Sequence, residues 1–276
     1  MDTKRAFTGH RRHWLSPALR RVCLALLIGA PVAGEAQTRL ESEAENTLSI
    51  IRQIGDVPTA VSGPARVGDA RSPSGIEQIG DVDRAAIVQV GQGNTADVST
   101  ESAAAPTRAI ILQQGRDHLA ATRQSGRAAA LMVQSGAGHT ALARQQGDAG
   151  GANNALILQS GQRNTAIVDQ SVAGGVLLPS FGANAGNQVL ISQQGSDNIA
   201  ISEQSGQGNS ADLRQNGFAN GITLSQDGGQ SIAVRQTGVG HVFDFDQTGT
   251  DMSPMTVTQS GVNAPPVMVT RSGPGR

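Results

Sequence analysis

A glutamine followed two places later by a glycine recurs about every eleven residues through most of this 276-residue chain. A fixed short period of this kind is typical of proteins that stack one structural unit on the next. The longer gaps are close to doublings of the same unit, and Gln170 keeps the phase without its glycine. The glutamines of the Gln-x-Gly triplets are Gln53, Gln78, Gln89, Gln113, Gln124, Gln134, Gln145, Gln159, Gln193, Gln204, Gln215, Gln226, Gln236, Gln247 and Gln259.

The residues before each glutamine alternate between two kinds. In one unit Asn198, Ala200, Ser202 and Gln204 occupy every second position, and the residues between such positions are mostly polar along the chain. Because successive side chains of a strand point to opposite faces, each unit is predicted to be one half-buried strand of about seven residues. One unit cannot bury its inner face alone, so two units should form a coil of about 22 residues. The predicted fold is therefore all-β, a β-solenoid of stacked strand-turn-strand coils with two parallel sheets and either handedness.

Each predicted strand ends in an amide side chain on its inner face. A buried amide is costly unless it is hydrogen-bonded, but identical amides stacked coil on coil can bond to one another and to turn backbone. A disordered tract rich in Gly, Gln and Ser would explain the composition but not the phase of the apolar residues. The predicted structural ladder comprises Gln78, Gln89, Gln113, Gln124, Gln134, Gln145, Gln159, Gln170, Gln193, Gln204, Gln215, Gln226, Gln236, Gln247 and Gln259, with Asn164, Asn198, Asn209 and Asn220.

Assigning alternate units to the two sheets predicts which glutamines share a column. One predicted column runs through Gln78, Thr100, Gln124, Gln145, Gln170, Gln193, Gln215, Gln236 and Gln259, and the other through Gln89, Gln113, Gln134, Gln159, Ser180, Gln204, Gln226, Gln247 and Arg271. The same phase places His118 and His139 on neighbouring coils, between Asn94 and Asn164. We interpret both histidines as neutral imidazoles in amide positions; a metal site or a pH switch is the alternative.

The first residues predict export. A basic region precedes a short apolar run at 22–28 and small residues at 34–36, which together predict a secretory signal peptide over residues 1–36. The apolar run is too short to span a bilayer. The single cysteine, Cys23, falls in this segment, so no disulfide is expected after cleavage.

The rest of the chain divides into two predicted parts. Residues 37–46 form an acidic N-terminal segment, and residues 47–273 form the solenoid. Prolines and a weakened repeat predict insertions near 56–75, 101–108 and 171–186.

Large apolar side chains fall on outward positions of one predicted sheet. They belong to the early coils, and in the later coils of that sheet their places are expected to be taken by Ile201 and Glu203, then Thr223 and Ser225, then Asp244 and Asp246. An apolar strip of this extent marks either a contact surface for another molecule or a face that residues 56–75 cover. Its members are Val88, Ile110, Leu112, Leu131, Val133, Leu156 and Leu158.

Composition argues against several classes of function. The chain has 21 basic and 22 acidic residues, and Lys4 is its last lysine. Such a charge balance is poor for binding nucleic acid or anionic membranes, so neither partner is expected, and no membrane span is predicted. Carboxylates occur singly rather than in pairs, which argues against an enzyme, and no cofactor or metal is expected.

The unit resembles the curlin repeat of bacterial curli fibre subunits, Ser-x5-Gln-x-Gly-x2-Asn-x-Ala-x3-Gln. The fullest matches are Gln159, Gly161, Asn164, Ala166 and Gln170; Gln193, Gly195, Asn198, Ala200 and Gln204; and Gln204, Gly206, Asn209, Ala211 and Gln215. The resemblance implies a secreted structural subunit that self-assembles into extracellular amyloid fibres at the bacterial surface for adhesion and biofilm formation. Its implied partners are further copies, other curlin-type subunits or a nucleator, and an outer-membrane export pore.

Some features depart from that family. The leading serine is rare, and residues 37–46 lack the glycine-rich leader of the main curli subunit, so both a major subunit and a nucleator stay open. The bulky Phe243, Phe245 and Met255 near the C-terminus would suit an end cap. The alternative function is therefore a soluble, capped β-solenoid adhesin that binds a surface or a carbohydrate.

Overall fold

A computed structural model describes residues 40–44, 47–54, 59–64, 74–80, 84–102, 106–147, 151–172, 186–250 and 252–273. Within these ranges the regular secondary structure is β-strand throughout, with no helical residue. The predicted signal peptide, residues 1–36, lies outside them.

Twenty strands follow one another along the described chain. They are β1 (Leu40–Ala44), β2 (Thr47–Ile54), β3 (Thr59–Pro64), β4 (Ser74–Gly80), β5 (Arg84–Gln92), β6 (Thr95–Ser102), β7 (Thr107–Arg116), β8 (Leu119–Ser125), β9 (Ala128–Ala137), β10 (Thr140–Gln146), β11 (Asn153–Gln162), β12 (Thr165–Ser171), β13 (Gln188–Ser196), β14 (Ile199–Ser205), β15 (Ser210–Phe218), β16 (Gly221–Asp227), β17 (Ser231–Val239), β18 (Val242–Thr248), β19 (Met255–Val262) and β20 (Val267–Ser272).

These strands form two sheets. Sheet A has the order β1-β2-β4-β6-β8-β10-β12-β14-β16-β18-β20, and sheet B has the order β19-β17-β15-β13-β11-β9-β7-β5-β3. From β2 onward the chain alternates between the sheets, and each strand pairs in parallel with the strand one coil away. The prediction of an all-β solenoid with two parallel sheets is confirmed. The exception is β1, which pairs antiparallel with β2 at one end of sheet A.

The period-two pattern decides which side chains form the core. Strand β14 alternates exposed or half-buried residues with buried Ala200, Ser202 and Gln204, as predicted. The core between the sheets is thin because alanine holds many inward positions, with Ile157 and Leu213 among the larger side chains. Full burial of an isoleucine or leucine contributes about 1.5–3 kcal/mol, so coils with one such residue per strand depend heavily on their neighbours.

The predicted columns are correct up to Gln170 and wrong beyond it. Gln159 pairs with Gln193 in sheet B, and Gln170 pairs with Gln204 in sheet A. The strands of each pair are direct neighbours, so the predicted column that runs from Gln159 through Ser180 to Gln204 is wrong; Ser180 itself lies outside the described residues. The spacing from Gln170 to Gln193 is one unit with an insertion between β12 and β13, whereas the predicted columns require two units. An insertion in a turn leaves the inward face of both flanking strands unchanged.

The predicted insertions also differ from the structure in part. Strand β3 lies inside residues 56–75 and pairs in parallel with β5, with Pro64 opposite Gln89. It is the edge strand of sheet B, where a proline is tolerated because one side needs no hydrogen bond. Strand β1 likewise lies within the acidic segment 37–46. In the other two insertions, residues 103–105 and 173–185 lie outside the described ranges.

Candidate functional site: the amide ladders and the outer sheet faces

A continuous glutamine ladder runs along the inside of sheet B. Each side-chain amide donates from Nε2 to the Oε1 of the glutamine on the next coil, at 2.7–2.9 Å. All of these side chains are 6 % exposed or less. The members in order are Gln89, Gln113, Gln134, Gln159, Gln193, Gln215, Gln236 and Gln259. Since every bond points the same way along the stack, the ladder has a direction.

Sheet A carries a shorter ladder. Nε2-to-Oε1 bonds of 2.8–3.0 Å join Gln124, Gln145, Gln170, Gln204 and Gln226. Thr100 is too short to continue it, and neither its Oγ1 nor the Oε1 of Gln124 has a hydrogen-bond partner among the described residues. At the other end the ladder stops before Gln247, whose Nε2 contacts the sulfur of Met252 at 2.9 Å. Gln78 belongs to the part of sheet A whose side chains are outside the described set.

Most ladder glutamines also tie the two sheets together. The second Nε2 hydrogen of Gln113 donates to the carbonyl of Thr95 at 3.0 Å, and that of Gln145 donates to the carbonyl of Ala129 at 3.1 Å. These carbonyls belong to the first or second residue of a strand in the opposite sheet. A glutamine at a strand end therefore satisfies a backbone acceptor across the coil, which explains why an apolar residue would not serve there.

Asparagine side chains form a second pair of columns beside the turns. Asn198 Oδ1 accepts from the backbone N–H of Asn220 at 3.2 Å and from its Nδ2 at 3.0 Å. Asn209 accepts in the same way from the backbone N–H of Gln230, at 3.2 Å. One column runs through Asn94, His118, His139, Asn164, Asn198, Asn220 and His241, and the other through Asn153, Asn187, Asn209 and Gln230.

Sequence reasoning missed two members of these columns. Asn164, Asn198, Asn209 and Asn220 each follow a ladder glutamine by five residues, a spacing readable in the sequence. Asn153 and Asn187 break that spacing because residues are inserted before them. The signal that remains is their position one or two residues before an alternating apolar run.

His118 and His139 stack on each other inside the first asparagine column. Their ring centroids are 5.0 Å apart and their planes differ by 5°. The Nδ1 of His118 accepts from the backbone N–H of His139, and the Nδ1 of His139 accepts from that of Asn164, both at 3.2 Å. Each Nε2 faces a backbone carbonyl, of Gln114 at 3.1 Å and of Ser135 at 3.0 Å. These contacts fit one neutral tautomer, with the proton on Nε2.

The charged form of either imidazole does not fit this site. Burial lowers the pKa of His118, and burial together with the neighbouring His118 ring lowers the pKa of His139 to about 4. A proton on Nδ1 would also meet the backbone N–H that this nitrogen now accepts. Among the described residues no group of three His, Cys, Asp or Glu side chains is placed to hold a metal ion. The two rings thus fill amide positions as hydrogen-bond acceptors.

The predicted apolar strip lies on the outer face of sheet B. Val88 is buried, Leu158 is 36 % exposed, and the members between them are half-buried. The strip continues to Leu190 on β13, because the column shift after Gln170 puts Ile201 and Glu203 in sheet A instead. The strip lines a shallow concavity of about 580 Å³ together with polar residues at its ends. Its outward-facing lining includes Arg108, Ile110, Leu131, Asn154, Leu156, Leu190 and Asp212.

Comparison with protein-family models, with curated proteins and with solved structures finds no match to this chain. In the part of the chain that the structure describes, no helix has the length and apolar character needed to cross a bilayer. The functional interpretation therefore depends on the geometry of the ladders, the faces and the ends of the stack.

Proposed function

We propose that this chain is a structural subunit that adds to further copies end to end through its C-terminal coil. The observation that carries the proposal is that β19 and β20 are the edge strands of their sheets at that end. Their inward side chains Val257, Val267 and Val269 pack against the core but are only partly buried. A further coil in register would pair the open backbone edges and bury these side chains.

The ladders would fix how the next copy adds. Gln259, the last glutamine of sheet B, accepts from Gln236 at 2.7 Å and donates to the carbonyl of Val242 at 3.2 Å. A one-residue slip of an added strand would turn its amide and apolar residues outward. Register is therefore strongly specified, and templated addition of parallel strands is the mechanism we propose.

The setting of this assembly is also part of the proposal. The export signal predicted at the N-terminus and the curlin-like motif support a secreted subunit of extracellular, curli-type amyloid fibres. Adhesion and biofilm formation are the roles that follow from that family. Other curlin-type subunits or a nucleator, and an outer-membrane export pore, are the partners that we propose with it.

One observation favours a second candidate function, a capped β-solenoid adhesin. Strand β1 closes the N-terminal edge of sheet A in antiparallel orientation, and Pro64 lies on the edge strand of sheet B. Both are devices that block the addition of strands. A stack that is blocked at one end and does not grow at the other would act through its faces.

Seeded growth separates the two functions. We expect the purified chain without residues 1–36 to form thioflavin-positive fibres, with a lag that preformed fibres remove. Val257→Asp should abolish growth, because the charge is tolerated at a half-exposed end but would be buried by the next coil. Thr258→Asp, at the neighbouring outward and exposed position, is the matched control and should grow normally. Persistent wild-type monomer would favour the adhesin, and equal growth of both variants would exclude addition at this end.

A further inference from the structure

The outer face of sheet A carries charges in an ordered column. Arg123 on β8, Arg144 on β10, Asp169 on β12 and Glu203 on β14 occupy the same position of four successive rungs. Two basic residues are thus followed by two acidic ones. A second, apolar column runs beside them on the same rungs and consists of Ala121, Leu142, Ile167 and Ile201.

This order is unfavourable in a single copy. Rungs lie about 4.8 Å apart, so Arg123 adjoins Arg144 and Asp169 adjoins Glu203 with like charges side by side. Two ion pairs join described residues to one another, Arg163–Asp197 and Arg214–Asp212. None of the four charges on this face belongs to either pair. A partner with the opposite order would relieve both repulsions.

We propose that the outer face of sheet A is a self-complementary surface that docks a second copy of this chain, face to face. The two copies would be related by a twofold axis parallel to the strands, which reverses the order of the rungs and keeps each position along the strand. Strand β10 then faces β12 of the second copy, and β8 faces β14. Arg144 meets Asp169, and Arg123 meets Glu203, each pair occurring twice by symmetry.

The apolar residues match under the same operation. Leu142 meets Ile167, and Ala121 meets Ile201 beside the ion pairs. At the edge of the face, Leu119 meets Ile199, and these two side chains are 41 % and 48 % exposed in the single copy. Over rungs β6 to β16 the like-charge meeting is at the opposite rim, where Glu101 faces Asp227 and salt screens the repulsion, and Asp97 faces the polar Thr223.

The other closed arrangement fails. A twofold axis along the stack would leave each rung facing itself and reverse the strands. Arg123 would then lie on Ala121 and Glu203 on Ile201, which buries charges against apolar side chains. The charged column and the apolar column therefore each favour the twofold axis that is parallel to the strands.

The size of the face suits a reversible contact. Sheet A strands such as β14 have 7 residues. Six such rungs, β6 to β16, cover about 600 Å² at about 3.3 Å per residue and about 4.8 Å per rung. A standard stable interface buries about 800 Å² on each partner. The expected product is a weak dimer at low salt, independent of whether the ends add further copies.

Two charge-reversal variants test the contact by sedimentation at low salt. One carries Arg123→Glu and Arg144→Glu, and the other carries Asp169→Arg and Glu203→Arg, both in the Val257→Asp background. That background removes end-to-end addition if it exists, so failure of the proposed function leaves this test unaffected. Each variant alone should dimerise at least about tenfold more weakly than the parent, and an equimolar mixture should recover the parent's affinity.

The control repeats the charge change on the other face. Arg108→Glu with Arg235→Glu, both exposed on sheet B, should leave dimerisation unchanged. Circular dichroism checks that each variant keeps its β-structure; if charge reversal unfolds the chain, Arg123→Gln with Arg144→Gln should still weaken the dimer. A parent that stays monomeric at about 100 μM and low salt, or a mixture of the two variants that stays monomeric, would overturn the proposal.

Discussion

Replacing one ladder amide by its isosteric acid tests the central physical claim. Gln159 is 2 % exposed and accepts from Gln134 at 2.9 Å. Its Nε2 donates to Gln193 Oε1 at 2.8 Å and to the carbonyls of Thr140 and Asn164 at 3.0 Å. Gln159→Glu keeps the shape and removes every N–H. The perturbation is therefore electrostatic and leaves no cavity.

The expected cost is large. The two N–H hydrogens of the amide are shared among three carbonyl oxygens, so about two hydrogen bonds are lost, and at about 1–3 kcal/mol each the free energy of unfolding should fall by about 2–6 kcal/mol. That is a large fraction of the about 5–15 kcal/mol typical of a folded domain. Burial among carbonyl oxygens raises the pKa of the new carboxyl group. Its destabilising effect should thus be greatest at pH 8 and diminish toward pH 4, as the folded chain retains a proton that restores one donor.

Urea unfolding of the monomer, followed by circular dichroism at pH 8 and pH 5, measures this effect. Gln162→Glu is the matched control, because Gln162 is exposed at the end of the same strand. Its effect should stay within about 0.5 kcal/mol. If Gln159→Glu at pH 8 were no more destabilising than Gln162→Glu, the ladder would not stabilise the fold.

The histidine pair should make the stack sensitive to acid. An unfolded histidine titrates near pH 6.5 and folded His139 near pH 4, so unfolding should become easier as pH falls between these values, by about 3 kcal/mol for this ring alone. The double variant His118→Asn, His139→Asn should lose at least half of the fall in urea midpoint that the parent shows from pH 7 to pH 5. A double variant that keeps the parent's pH dependence would refute this. Gly136→Ala should lower the melting temperature far more than Gly138→Ala, since φ is positive at both glycines but only the first would press a methyl group onto a backbone carbonyl, of Gly161. Similar melting temperatures would show that the coils can separate to accommodate a methyl group.

The period of the repeat was enough to predict the fold. Alternation around Ala200, Ser202 and Gln204 assigns the inner face of a strand from local sequence, because burial in a parallel stack obeys the same rule on every rung. Glutamine at each strand end also indicates parallel pairing, since an amide can continue a ladder only with its equivalent one coil away.

The column assignment could not be predicted after Gln170. An insertion whose length is near one repeat is indistinguishable by spacing from a degenerate unit, and Ser180 was counted as such a unit. Strand β3 was not predicted for the opposite reason: it is a real strand, but Pro64 stands where the repeat has its glutamine. Deciding between loop and rung requires the pairing partners of the flanking strands, and these depend on contacts far away in sequence.

The side-chain contacts at the ends of the ladders could not be predicted from the sequence either. Gln226 and Gln247 are equivalent residues on adjacent rungs, yet the Nε2 of Gln226 has no acceptor within the described residues. The rung of Gln247 carries Phe243 and Phe245, stacked at 6.0 Å in the core. The break coincides with these bulky side chains and with the contact of Gln247 to Met252. Such a local choice between a sulfur and an amide partner depends on packing that periodicity does not describe.

The two proposed contacts use different parts of the same repeat, and ionic strength should act on them differently. End addition depends on backbone pairing and apolar burial at Val257 and its neighbours, which salt screens little. The sheet A contact depends on surface charges such as Arg144 and Asp169, whose attraction fades once the Debye length falls to about 10 Å at 0.1 M salt. End addition can continue from copy to copy along the stack. The sheet A contact, in contrast, is complete once two copies have paired. A repeat that alternates inward and outward residues on each rung can therefore direct end-to-end addition through its edge strands and lateral pairing through its outer faces, with no change to the core that both share.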